Sequence, residues 1–165
     1  MSKSFVTGLF KTRTAAEAAV DAIIKRGYTR DDISVLMSDA TKNKEFAVQT
    51  RSHAADGLGV GGAIGGTIGA VLLAIVAVSS ITIPGGFMVG GPIAAALVGA
   101  GAGGATGGLI GLLVGTGIPE HRARVYDTGV RGGGILLGVE AKTEEEVDKL
   151  ETLLEDIGAE YVRVE

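Results

Sequence analysis

Residues 57–83 read GLGVGGAIGGTIGAVLLAIVAVSSITI, residues 84–86 read PGG, and residues 87–118 read FMVGGPIAAALVGAGAGGATGGLIGLLVGTGI. No Asp, Glu, Lys, Arg or His occurs between Asp56 and Glu120, and glycine recurs every four residues on both sides of the break. The phased glycines are Gly57, Gly61, Gly65 and Gly69, then Gly99, Gly103, Gly107, Gly111 and Gly115. Because a spacing of four places residues on one side of an α-helix, each strip lets another helix backbone approach closely. The pattern predicts a glycine-zipper helical hairpin over residues 57–118, with Pro84, Gly85 and Gly86 at its turn and the phased glycines as helix-packing and oligomer contacts.

The length and the flanks of this hairpin predict a membrane protein. Each arm exceeds the about 20 apolar residues that cross a bilayer. Basic residues lie on both sides, with Lys42, Lys44 and Arg51 before the stretch and Arg122 and Arg124 after it, which places both termini on the cytoplasmic side. We therefore expect transmembrane helices, with membrane lipid and further copies of the chain as partners.

A second interpretation stays open, in which the hairpin is buried inside a soluble oligomer. Glycine contributes no apolar area, and Phe87 is the only aromatic residue of the stretch, so the aromatic belt of membrane proteins is nearly missing. Glycine is also a poor helix former in water, by roughly 1 kcal/mol per residue relative to Ala. A bilayer lessens that penalty because unpaired backbone groups are more costly there. Helix packing through the strips is expected in either environment.

The beginning of the chain predicts a β-α-β unit. Ser4–Lys11 and Ile33–Met37 are short runs of β-branched and apolar residues, which are typical of strands. Between them, Thr14 and Glu17 have the spacing of a capping box at a helix start. Gly27 follows the helical pattern as the residue expected just beyond the helix end.

The end of the chain repeats this arrangement. Gly134–Ala141 and Tyr161–Val164 are predicted strands, Thr143 and Glu146 have capping-box spacing, and Gly158 ends the helix between them. Two such units predict an α+β ferredoxin-like sandwich, which is an antiparallel sheet with two helices on one face. The glycine-zipper hairpin would then be inserted between strands 2 and 3.

The expected domain organisation follows directly from these patterns. Residues 1–38 and 132–165 are the two halves of the ferredoxin-like domain, residues 39–56 a polar connection, residues 57–118 the hairpin, and residues 119–131 a short juxtamembrane helix.

Composition and motifs argue against an enzyme. The chain has no cysteine, which excludes disulfides and thiolate catalysis, and its net charge of -4 weighs against a nucleic acid partner. The runs starting at Gly57 and Gly99 both match the dinucleotide fingerprint G-x-G-x-x-G. Neither follows a predicted strand, and no acidic residue lies about 20 positions further on. No cofactor and no catalytic residue are predicted.

Two histidines lie just outside the ends of the hairpin. His53 and His121, with Asp56 and Glu120 beside them, have the side chains of a metal or proton-sensing site. Polar residues flanking an apolar segment are the favoured interpretation, so no metal site is predicted.

Several segments carry a resemblance to a known family. They are residues 28–36 (YTRDDISVL), residues 90–97 (GGPIAAAL), residues 115–120 (GTGIPE), Tyr126, and residues 132–136 (GGGIL). The chain resembles bacterial general stress proteins of the 17M type and similar low-temperature- or heat-induced proteins with a glycine-rich centre. The resemblance implies a bacterial stress-associated protein and brings no catalytic residue with it.

Three functions are therefore expected, in descending order. The first is a non-enzymatic stress-associated protein of the bacterial inner membrane, whose glycine-zipper hairpin drives oligomerisation in or on the bilayer. The second is a soluble, cytoplasmic, self-assembling structural protein that forms a shell, ring or filament with the hairpins in its centre. The third is a ligand-sensing ferredoxin-like module.

Overall fold

A computed structural model describes residues 4–44, 72, 75–76, 80–83, 85–99 and 108–164. Its strands are β1 (Ser4–Phe10), β2 (Ile33–Ser38), β3 (Ser80–Ile83), β4 (Phe87–Gly90), β5 (Ile135–Ala141) and β6 (Glu160–Val164). Its helices are α1 (Arg13–Lys25), a 3-10 turn (Arg30–Asp32), α2 (Pro92–Gly99), α3 (Gly108–Gly115), α4 (Glu120–Arg131) and α5 (Glu144–Asp156). Residues 39–44 are also helical. The predicted α+β class is confirmed.

The six strands form one antiparallel sheet in the order β3-β4-β2-β5-β1-β6. Strand β5 lies between β1 and β2, and β1 lies between β5 and β6. Each β-α-β unit therefore encloses one strand of the other unit. Neither half can close its sheet alone, so the two ends of the chain fold as one body.

The helix starts follow from local side-chain hydrogen bonds. The Thr12 hydroxyl accepts from the Ala15 N–H and caps α1, so this helix begins two residues before the predicted Thr14 cap. At α5 the prediction is correct, because the Thr143 hydroxyl accepts from the Glu146 N–H. Both helices end beside glycines with positive φ, Gly27 and Gly158.

The predicted turn in the uncharged stretch joins two strands rather than two helices. Gly85 and Gly86 have φ of 103° and 83°, and Ile83 pairs with Phe87 across this turn. The prediction of continuous helical arms is wrong for residues 80–83 and 87–90. The reason is tertiary: β4 adds to the open edge of β2, and pairing satisfies the backbone groups of both strands. The β-branched run at Ile81–Ile83 suits that role.

Helices cover both faces of the sheet. Alternate strand residues point to opposite faces, so Val6 and Phe10 of β1 pack with α1 and α5, whereas Leu9 packs with α2, α3 and α4. The second face is completed by apolar residues from the uncharged stretch. They are Phe87, Val89, Ile93, Ala94, Leu109, Leu112, Leu113 and Ile118. These side chains therefore belong to the core of the domain.

The prediction of transmembrane helices is wrong. Within the residues that the structure describes, no helix is long and apolar enough to cross a bilayer. Helices α2 and α3 have eight residues each, against the about 20 that a span requires. The helix predicted as juxtamembrane is α4, and it lies on the sheet with Ala123, Tyr126 and Val130 buried.

Candidate functional site

Only part of the predicted glycine zipper lies within the described residues. Gly57, Gly61, Gly65, Gly69, Gly103 and Gly107 lie outside them, as does Pro84 of the predicted turn. Gly99 belongs to α2, and Gly111 and Gly115 belong to α3. The geometry of the zipper can therefore be read at α3.

Helix α3 presents two different sides. Leu109 and Leu113 are fully buried and Leu112 is nearly so, because this side packs into the second core beside α4. On the opposite side Gly111 and Gly115 are exposed, and a Cβ built on either would meet no atom within 4 Å. Val114 lies between them with 43% of its surface exposed. The glycine strip thus faces outward and is not used for packing inside the described part of the chain.

Close backbone approach occurs instead at glycines outside the four-residue phase. A Cβ on Gly91 would collide with the Ile33 carbonyl oxygen and lie 2.8 Å from Ser34 Cα. One on Gly129 of α4 would collide with the Leu9 side chain. Sequence reasoning missed both positions, because neither belongs to a repeating pattern.

Helix α4 is held on the sheet by a buried polar contact. The Tyr126 hydroxyl lies 2.8 Å from the Thr7 hydroxyl of β1 and donates to the Tyr161 carbonyl of β6 at 3.1 Å. Thr7 is fully buried and Tyr126 is 1% exposed. A buried hydroxyl needs such partners, so this contact sets the position of α4 over β1 and β6.

A second candidate site is a cleft of about 470 Å³ on the α1–α5 face of the sheet. Its charged and polar lining comes from the end of α1, the 3-10 turn, the end of β5 and the start of α5. The residues are Arg26, Tyr28, Asp32, Lys142, Glu146 and Lys149. Gly27 and Leu150 complete the lining. The cleft therefore has one more cation than carboxylates.

Both carboxylates of this cleft accept hydrogen bonds from residues three or four positions earlier in the chain. Asp32 Oδ2 accepts from the Thr29 N–H at 2.8 Å and from the Thr29 hydroxyl at 2.9 Å. Glu146 Oε2 accepts from the Lys142 N–H at 2.8 Å. Burial, then the charges of Glu146 and Asp32, raise the pKa of the Tyr28 phenol. Tyr28 therefore keeps its proton throughout the neutral range and is available as a hydrogen-bond donor.

The histidine pair gives no metal site within the described residues. His121 is exposed in the first turn of α4, and His53 lies outside the described ranges. Among the residues that the structure describes, no group of three or more His, Asp and Glu side chains is arranged to hold a metal ion.

Comparison with known proteins assigns neither a family nor a function to the chain. No family model matches the chain, and neither curated proteins nor solved structures provide a match. Function must therefore be inferred from the two surfaces described above.

Proposed function

We propose that the protein is a non-enzymatic structural protein that self-assembles through the exposed side of α3. The observation that carries the proposal is the outward-facing strip formed by Gly111, Val114 and Gly115. A strip of this kind lets another helix backbone approach closely, and no described part of the chain lies within 4 Å of a Cβ placed on either glycine.

The strip has the properties of a helix–helix contact. Gly111 and Gly115 lack side chains, so a second α3 can approach until the two backbones touch. Val114 supplies apolar area that is exposed to water in the free chain and would be buried on association. No charged residue occurs between Asp56 and Glu120, so association at α3 removes no charge of this stretch from water.

The proposal takes the body of the molecule as a ferredoxin-like sandwich that carries the assembly helix. The order β2-β5-β1-β6 within the sheet, together with α1 and α5 on one face, supports that arrangement. The β3–β4 hairpin and helices α2 to α4 would be additions that form a third layer. A structural role also agrees with the resemblance to bacterial stress proteins, which brings no catalytic residue.

The test is the state of association of the full chain. We expect sedimentation velocity at micromolar concentration to show oligomers for the wild type and a shift to smaller species for Gly111→Leu. Because residue 111 is exposed and a Cβ there would meet no atom within 4 Å in the free chain, this variant should fold normally. Thr152→Leu adds the same side chain at an exposed position of α5 and should leave association unchanged.

Two results would reject the proposal. One is a wild-type chain that sediments as a monomer at all accessible concentrations. The other is a Gly111→Leu variant that assembles as well as Thr152→Leu does.

A further inference from the structure

The cleft between α1 and α5 has hydrogen-bonding groups that its own side chains do not use. The carboxylates accept bonds from the backbone, whereas the cations keep spare donors. Lys142 Nζ lies 3.9 Å from Asp32 Oδ1, which is longer than a hydrogen bond. Arg26 donates one bond, at 3.2 Å, to the Lys149 carbonyl, and a guanidinium has five N–H groups. Arg26 and Lys142 therefore have donors available for a ligand.

The wall beside these donors contains Leu150 and Tyr28. Leu150 is 1% exposed, and Tyr28 is partly buried and packs against the first core. Gly27 has no side chain, and the position where its Cβ would lie is open. A planar group can therefore lie along this wall while its charged end reaches Arg26 and Lys142.

We propose that this cleft binds a small organic anion, consisting of a carboxylate or phosphate attached to a flat apolar body. The volume of about 470 Å³ falls within the range of pockets that hold small ligands. Arg26 and Lys142 bind the anionic group, Tyr28 donates a further hydrogen bond, and Leu150 contacts the apolar body. This site lies on the sheet face opposite α3, so it is independent of the proposed self-assembly.

The selectivity of the cleft follows from the same groups. A neutral ligand of equal shape can accept hydrogen bonds from Arg26 and Lys142 but brings no charge to pair with theirs. A cationic ligand would be repelled by Arg26 and Lys142, and one oxygen of each cleft carboxylate already accepts a hydrogen bond. The anion is therefore the one of the three classes that can pair its own charge with Arg26 and Lys142.

The experiment is a titration of the 15N-labelled full-length protein, followed by NMR shifts, with four probes of one shape. Benzoate and phenyl phosphate test the two anionic groups, and benzyl alcohol and benzylamine are the neutral and cationic controls. We expect saturable shifts at Gly27, Tyr28 and Leu150 with at least one anion and no saturation with either control. The tighter of the two anions identifies the preferred group.

Two variants and a matched control locate the binding. Arg26→Gln and Lys142→Gln should each raise the Kd of the tighter anion by about five- to tenfold. Lys25→Gln removes the same charge one residue before Arg26, at an exposed position outside the cleft lining, and should change the Kd by less than about twofold. Equal shifts with benzoate and benzyl alcohol would overturn the proposal. Equal weakening by Arg26→Gln and Lys25→Gln would do the same, because it would indicate binding to general positive charge.

Discussion

The two faces of the sheet differ in the helices that cover them. On one face, α1 and α5 carry charged residues on their outer sides and threonine caps at their starts. On the other, the charged helix α4 lies beside α2 and α3, which contain no charged residue. Both sets nevertheless bury a continuous apolar core against the same strands. An uncharged, glycine-rich segment can therefore serve as a core layer of a folded domain.

The second face also depends on close glycine contacts. At α1 and α5, leucine, isoleucine and alanine side chains separate helix from sheet. Before α2, Gly91 lies directly against the backbone of β2, and in α4 Gly129 lies directly against the Leu9 side chain. We therefore expect the two faces to respond differently to small substitutions, and the following predictions test that difference.

Gly91→Ala should have the largest effect. Residue 91 has a φ of 87°, and a methyl group there would collide with the Ile33 carbonyl oxygen, which belongs to a central strand and cannot move freely. We expect a loss of about 4 kcal/mol or more in the free energy of unfolding, measured with urea. Gly86→Ala is the control, because φ is 83° and no atom lies within 4 Å. It should cost about 1 kcal/mol. Equal losses would show that conformation alone, and not close approach, matters at Gly91.

Leu113→Ala and Leu154→Ala compare the two cores directly. Each leucine is fully buried, Leu113 against α4 on the second face and Leu154 against the first. Each truncation should lower the free energy of unfolding by about 3 kcal/mol, through lost burial and the cavity left behind. Both variants should still unfold in one transition. A Leu113→Ala variant as stable as the wild type would show that α3 is not part of the cooperative core.

Tyr126→Phe should have a smaller effect. It removes the hydroxyl that contacts Thr7 and donates to the Tyr161 carbonyl. We expect a loss of about 1.5 kcal/mol, because buried polar groups lose a partner. Tyr161→Phe removes a hydroxyl from a side chain that is 54% exposed and should change stability by less than about 0.5 kcal/mol. Loss of stability in Tyr161→Phe alone would reverse the assignment of the anchoring residue.

The smallest expected effect is a loss of stability at alkaline pH, caused by Tyr28 on the first face. The pKa of Tyr28 is raised in the folded chain by burial and by Glu146 and Asp32. The folded state therefore holds this proton more tightly than the unfolded state does. The resulting stability is present below the ordinary tyrosine pKa of about 10 and is lost as pH rises through the higher folded value. The wild type should lose stability relative to Tyr28→Phe above pH 10. Parallel stability curves of the two proteins from pH 8 to 11 would contradict this.

Local chemistry explains why the outer parts of the chain were predictable. The apolar run of β1, the apolar stripes of α1 and α5, and glycines 27 and 158 act through neighbours in sequence, so they can be read without the fold. The Thr143 cap was found for this reason. The cap of α1 was misplaced by two residues, because Thr12 and Thr14 offer the same hydroxyl and only the folded backbone selects between them.

The structure of the central stretch was predicted less accurately, because an uncharged, glycine-rich pattern does not distinguish a bilayer from a protein core. Absence of charge is compatible with a bilayer and with a protein core, and the sheet edge that receives β4 is not encoded within the stretch. The cleft could not be predicted from the sequence either, because Arg26 and Lys142 are far apart in sequence. They line the same cleft only when the two β-α-β units interleave.

Sequence alone therefore established the α+β class and the two β-α-β units. These depend on periodicity, capping and apolar content, which are local properties. Only the tertiary structure decided that the centre supplies two strands and a second helical layer, and which glycines approach other backbones. Those outcomes depend on which surface the open sheet offers, and that surface exists only after the ends of the chain have folded together.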